Sequence, residues 1–336
     1  MSVQENTRAG FSTRLKLFIL DHIIAIVLLM LIIFLSIASP SFLTVSNWLN
    51  ILKAVSMKGI IAFGMTMVII AAQIDLSIGS VVALSGVIAA FCCDRLPAMT
   101  GMSLTAAAVI GMLIALFVSA LLGMFHGFAE VRFKMPAFII TLATQLFLYG
   151  LAGIICGGFP IAGKMPGWFN NIGIGRVGNI PIPAILLIIA FAISYFIMEY
   201  TPMGRSIYAV GGNKEAARLA GINVLRTEMF CFVVTAVFAA IGGFINSAQV
   251  LQATFNFGKG WETDVISAVV IGGTSMTGGV GKITGTLLGI IFIGVIANGM
   301  TLLNVSVYMQ YVIRATLLFC AVLLSMFLPK LKQKIS

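Results

Sequence analysis

Ten carboxylates and two histidines are all that a chain of 336 residues offers for acid–base chemistry, and they form no catalytic set. His22 and His126 stand far apart beside apolar runs, with no Ser/His/Asp or metal-ligand spacing around them. The five cysteines (Cys92, Cys93, Cys156, Cys231, Cys320) lie in or beside apolar runs and include no CxxC pair, so metal and disulfide readings are poor. No glycine-rich loop with its lysine is present, so the chain has no means of hydrolysing ATP by itself. No cofactor and no metal is expected. The polar residues that remain concentrate in three places: 201–228, 73–80, and Glu262-Thr263-Asp264 with the turn after it.

The first is TPMGRSIYAVGGNKEAARLAGINVLRTE, which carries Arg205, Lys214, Arg218 and Arg226. Its centre, Asn213 to Gly221, reads as a short helix. Asn213 suits the N-cap, because its side-chain oxygen can accept from an orphan backbone N–H. Glu215 to Ala220 are mostly strong helix formers, and Gly221 suits the C′ position. Gly211 and Gly212 are expected to break the segment before it. The helix is either a contact surface for something in water or a solvated connector.

The other two interrupt apolar sequence. Gln73-Ile74-Asp75-Leu76-Ser77 breaks one long run, and Glu262-Thr263-Asp264 leads through a short apolar segment into a Gly-rich turn at 272–285. Asp75 or Asp264 can cap a helix N-terminus and favour its positive end. An acidic residue within an apolar run is also a functional candidate, since burying it unpaired is costly. Asp75 therefore stands as a surface cap or as part of a pathway, and Glu262 and Asp264 as a solvated loop or part of a pathway. Lys58 and Arg314 either snorkel or pair within a bundle. Gly281, Gly285 and Gly289, and likewise Gly79, Ala83 and Ser85-Gly86, form small-residue stripes that let helices approach.

The elements that must position these groups are membrane helices. The chain is 60% hydrophobic and 9% charged, against roughly 25% charged in soluble domains. The apolar runs are long and lack the period-2 alternation of a barrel. At about 20 residues per span, ten candidates appear: Leu17–Ile37, 55–72, 78–93, 103–125, 136–156, 183–200, 229–247, the short 264–271, 286–303 and 307–328. The first mimics a signal peptide but exceeds the ~7–15-residue core of one, so it reads as an uncleaved span. The fold class is all-α membrane protein, a single domain over 1–336. The two interruptions fall five spans apart, which predicts inverted five-helix repeats with broken or short helices near the centre.

The net charge of +10 does not point to nucleic acid, because the basic residues sit singly at span ends. One set of connections holds Arg8, Arg14, Lys16, Arg132, Lys134, Arg205, Lys214, Arg218, Arg226, Lys282, Lys330, Lys332 and Lys334, thirteen in all. The other holds Lys53, Arg95, Lys164, Arg176 and Lys259. That bias puts both termini and the polar helix in the cytoplasm. An ion-coupled carrier needs paired or relayed ionisable groups within its spans. Only Asp75, Lys58 and Arg314 qualify by sequence, so the chain reads as a pathway energised from elsewhere.

Three segments carry a resemblance: IDLSIGS at 74–80, TPMGRSIYAVGGNKEAARLAGINV at 201–224, and WETDVISAVVIGGTSMTGGVGKITGTLLG at 261–289. They resemble, in order and spacing over nearly the whole chain, the membrane subunits of bacterial ABC sugar importers of the ribose type. The resemblance implies a permease in the bacterial inner membrane that pairs with a second copy, identical or paralogous. It implies an ABC ATPase subunit below and a periplasmic substrate-binding protein above. Glu215-Ala216-Ala217 followed by Gly221 matches the class pattern of a cytoplasmic helix that docks in the ATPase, although the later I-x-L-P ending is missing. Asn213, Glu215, Ala216, Ala217, Arg218 and Gly221 are then the coupling residues, within a coupling loop at 201–228. Where the family commonly reads E-L-D this chain has Glu262-Thr263-Asp264, and where a glycine pair often precedes the first motif it has Ala72-Gln73.

An uncharged, hydroxyl-rich sugar needs hydroxyl and amide partners, so the implied pathway residues are Asp75, Ser77, Asn246, Gln249, Thr274, Ser275 and Asn298. Arg95, Lys164, Arg176, Lys259 and Glu262 are the expected docking set for the binding protein. The rival readings are a self-sufficient facilitator or secondary carrier and a receptor or scaffold that transports nothing. A membrane enzyme lacks candidate catalytic groups.

Overall fold

A computed structural model describes the backbone of residues 23–335 and the side chains of residues 23–323. The expected start of the first span and the basic residues of both termini lie outside the described residues. Among the described residues there are thirteen helices and four two-residue strands. In chain order the helices are α1 (Ile23–Ala38), α2 (Val45–Ile70), α3 (Ile78–Thr100), α4 (Leu104–Phe133), α5 (Ala137–Ile155), α6 (Gly167–Ile174), α7 (Ile182–Tyr200), α8 (Pro202–Gly212), α9 (Lys214–Leu219), α10 (Val224–Val250), α11 (Trp261–Ile271), α12 (Ile283–Leu302) and α13 (Val307–Ile335). Seven of them (α2, α3, α4, α5, α7, α10 and α12) are long and apolar enough to cross a membrane. The other three expected spans correspond to α1, α11 and α13, whose described apolar parts are shorter.

Helix α2 is the axis of the bundle. From Gly59 to Ile70 every residue is buried, as expected of a helix that is apolar all round. It begins at Val45, ten residues before the expected start, because Thr44 caps it by accepting from the Asn47 N–H. Helix α10 packs against α2, α3 and α4. Gly123 and Gly127 of α4 meet the backbone of Val233 and Met229 in α10, and a Cβ on either would overlap it. Gly285 and Gly289 of α12 meet Gly272 and Ala268 in the same way. The small-residue stripes are packing surfaces.

Two discontinuities organise the interior. After α2 the chain turns at Ala72, whose φ is +62°, and residues 71–77 run without helix to the start of α3. After α10 it turns at Leu251, φ +48°, pairs Gln252–Ala253 (β4) with Ile161–Ala162 (β1), and restarts as α11. The two restarts meet: Gly79 lies against the Gly258 carbonyl and Glu262. A side chain at Gly258 would be strained at φ +74° and would press on Val82. Strands β2 (Arg176–Val177) and β3 (Ile180–Pro181) form a hairpin before α7.

Local expectations fared differently at these places. Neither Asp75 nor Asp264 is a cap residue. Ser77 and Gly260 occupy the caps of α3 and α11, and Asp264 lies inside the first turn of α11. Gly211 and Gly212 do break the segment before α9, as expected. They end α8, and Gly211 is there because a Cβ would collide with the Ile70 carbonyl at the end of α2.

Candidate functional site

One end of the bundle collects the end of α2, the ends of α4 and α7, helices α8 and α9, the start of α10 and the 272–282 turn. Helix α9 forms as its sequence predicts. Asn213 Oδ1 accepts from the Ala216 N–H at 2.9 Å, and Gly221 takes φ +84° past the C-terminus. The Gly221 N–H donates to Arg218 O and the Ile222 N–H to Ala217 O, both at 3.0 Å, which closes the helix as a Schellman motif. The Glu215 and Arg218 side chains are largely exposed, whereas Ala217 is buried with Val210 and Val224. Helix α8 is fastened to the Gly-rich turn by Tyr208 Oη, which donates to Gly281 O at 2.9 Å, and the turn is fastened to the end of α2 by the Gly279 N–H, which donates to Ile70 O at 2.8 Å. Burial and then the Glu199 carboxylate push the Tyr208 phenol up, so it stays protonated as a donor.

Behind α9 lies a cluster the sequence did not single out. Lys214 Nζ is 2.8 Å from both Glu130 oxygens and 2.9 Å from Glu228 Oε1. Gln73 Nε2 donates to Glu130 at 3.1 Å and to Glu228 at 3.5 Å. Burial pulls the Lys214 pKa down, but its bonds to Glu130 and Glu228 outweigh that and raise it, so it remains an ammonium. Glu228 is fully buried despite closing the polar stretch.

Deeper in the bundle, Asp75 Oδ1 accepts from the Ser77 N–H at 2.8 Å and the Ser77 hydroxyl at 2.6 Å. Its other oxygen lies 4.0 Å from His126 Nδ1, and both residues are buried. Asp264 is buried as well: Lys58 and Arg314 both donate to its Oδ2, the latter at 3.3 Å. The Lys58 ammonium also sits 5.6 Å from the Trp261 ring centre. Lys58 and Arg314 thus pair within the bundle, one of the two expected outcomes, and the ionisable groups in the spans are more than the three counted by sequence. His126, Asp264, Glu130 and Glu228 join those counted, each beside a partner distant in sequence.

The structure does not gather the expected pathway residues at one point. Asp75 and Ser77 are together. Asn298 exchanges two amide hydrogen bonds with Asn47, at 3.0 and 2.7 Å, and lines a groove of about 270 Å³ between α2 and α12 with Asn50, Lys58 and Thr301. Thr274 is buried with its hydroxyl unpartnered, and Ser275 bonds Thr277 within the 272–282 turn. Asn246 and Gln249 lie near the other end of α10 and are half-buried. At that end Arg95 and Lys164 each lie 3.4 Å from Asp94, while Arg176 and Lys259 are exposed. Glu262 is apart from them, with a buried Oε2 against Gly79.

A bundle broken twice at its centre, with polar groups threaded through it and a capped helix at one end, is the build of a multi-pass transport protein. Residues 47–322 match the family described as branched-chain amino acid transport system / permease component, and the chain belongs to that family. It is 40% identical over 309 residues to the ribose import permease of Haemophilus influenzae, covering 91% of this chain and 93% of the relative. To the ribose import permease of Bacillus subtilis it is 39% identical, covering 88% and 90%. To the L-arabinose transport system permease of Escherichia coli it is 35% identical, covering 88% and 87%. No solved structure matches.

Proposed function

We propose that this chain is the membrane permease subunit of an ABC importer that forms the translocation pathway for a pentose- or hexose-like sugar. A periplasmic binding protein delivers the sugar and a separate ATPase drives the cycle. The observation that carries this reading is full-length identity to permeases whose names specify ribose and L-arabinose. Two copies, identical or paralogous, face each other in the bacterial inner membrane, with both termini and the 201–228 coupling loop in the cytoplasm. The thirteen-to-five bias of basic residues supports that orientation.

The ten-span, inverted-repeat reading extends to the two discontinuities. Each follows a long helix (α2 or α10) and precedes a helix that restarts inside the bundle, which supports two halves of opposite direction around a central pathway. Asp75, Ser77, Asn246, Gln249, Thr274, Ser275 and Asn298 supply acceptors and donors along it. Arg95, Lys164, Arg176 and Lys259 present the cationic face for the binding protein.

Helix α9 is the ATPase contact, through Asn213, Glu215, Ala216, Ala217, Arg218 and Gly221. ATP binding closes the ATPase, moves this helix in each copy, and exchanges outward for inward opening. The buried Asp75–His126 pair and the Lys58–Asp264–Arg314 group around a buried carboxylate make a secondary carrier the rival. Uptake into vesicles holding this chain with its ATPase, with the binding protein supplied outside, separates the two. Glu215→Lys and Gly221→Pro abolish ATP-driven uptake with normal insertion in the first case. Uptake that persists, or that needs no ATP, establishes the carrier.

A further inference from the structure

Lys214 is the first residue of α9, yet its side chain turns away from the exposed face that carries Glu215 and Arg218. It reaches two carboxylates on different long helices, Glu130 near the end of α4 and Glu228 near the start of α10. Gln73 meets the same carboxylates from the 71–77 turn, two residues before Asp75 and five before α3 begins. Four segments therefore meet in one cluster, with Lys214 and Gln73 on the same two carboxyl groups. The separations in sequence, 84 residues to Glu130 from Lys214 and 57 from Gln73, make this a tertiary junction and not a local helix pair.

The junction is not a surface ion pair of the kind that contributes little. The Lys214 side chain is 37% exposed, but Glu228 is fully buried and Glu130 is 12% exposed, so withdrawing the ammonium leaves two facing acidic side chains without their cation. Apart from it, α9 itself buries only Ala217. A solvated connector has no use for such an anchor, because its lysine would lie in water.

We propose that Lys214 is a positioning residue for transport: it locks α9 to Glu130 of α4 and Glu228 of α10, whose carboxyl groups also hold Gln73, so that displacement of α9 is delivered to the 71–77 turn and the start of α3. The inference rests on α9 being the ATPase contact and adds how movement leaves it. Glu215 and Arg218 face the partner, and Lys214 faces the bundle. Helix α8, tied separately to the 272–282 turn, carries the same displacement toward α12.

The test compares Lys214→Met, Lys214→Glu, Lys214→Arg and the swap Lys214→Glu/Glu228→Lys, which restores one cation between two carboxylates. Each is purified with the ATPase and placed in liposomes with the substrate-binding protein and ribose as the probe sugar. Backbone hydrogen exchange is read at 71–77 and 213–221, beside ATP hydrolysis and ATP-driven uptake. In Lys214→Met and Lys214→Glu, exchange rises at both segments. The ATPase still copurifies, and uptake per ATP falls about tenfold, the scale of coupling between linked sites. Lys214→Arg and the swap recover both readouts. Unchanged exchange at 71–77, or a swap no better than Lys214→Glu, overturns the proposal whatever sugar is carried. Loss of ATPase copurification in Lys214→Met also overturns it, since Lys214 is then a docking contact. A native chain that never binds the ATPase fails the reading of α9 itself.

Discussion

Arg314 Nη1 donates to Asp264 Oδ2 at 3.3 Å, and Lys58 donates to the same oxygen, so one buried carboxylate holds two cations. The group carries one net positive charge. Removing the carboxylate leaves both cations without an anion, whereas removing Lys58 leaves a neutral pair. Asp264→Asn is therefore expected to cost about 3 kcal/mol, the low end for breaking a buried pair, because both cations keep some solvent. Lys58→Met costs less. Thermal unfolding in detergent orders the two, and a Lys58→Met variant less stable than Asp264→Asn contradicts the shared-carboxylate account.

Adjacent glycines at the end of α8 give a controlled comparison. A Cβ on Gly211 overlaps the Ile70 carbonyl and crowds Gly279, while one on Gly212 meets nothing within 4 Å. Gly211→Ala must push α8 from the end of α2, at a cost of about 1–3 kcal/mol. Gly212→Ala is neutral or slightly stabilising, since alanine loses less backbone freedom in a helix. Equal melting temperatures for the two variants would sink the packing account.

Asp75 accepts two hydrogen bonds from Ser77 on one oxygen. Asp75→Asn keeps that acceptor and is expected to retain most of the folded stability. Asp75→Ala leaves the buried Ser77 N–H unsatisfied, at about 1–3 kcal/mol. If uptake follows stability across the two variants, Asp75 holds the turn before α3. If Asp75→Asn is stable yet inactive, the charge beside His126 serves the pathway. Equal stability of Asn and Ala variants refutes the hydrogen-bond account.

The apolar runs and the scarcity of charge determined that this is a membrane protein, because hydropathy is a property of each segment alone. The same holds for α9. Asn213, the helix formers after it and Gly221 act within one or two turns, so cap, helix and stop were all legible in order. The motifs at 74–80, 201–224 and 261–289 were enough to place the family.

Tertiary structure decided what the polar residues do. Glu228 read as the end of a hydrophilic stretch and is fully buried, because α4 and α9 bring Glu130 and Lys214 to it. Asp264 read as a cap, a solvated loop or part of a pathway, and is the anion for Lys58 and Arg314, which lie 206 and 50 residues away. Gly211 read as a helix breaker, which it is, but its packing against the Ile70 carbonyl was not legible. Caps and hydropathy depend on neighbours in the chain, whereas the partner of a buried charge depends on which helices pack together. Membrane helices pack through small residues at many separations, so no local pattern specifies those partners.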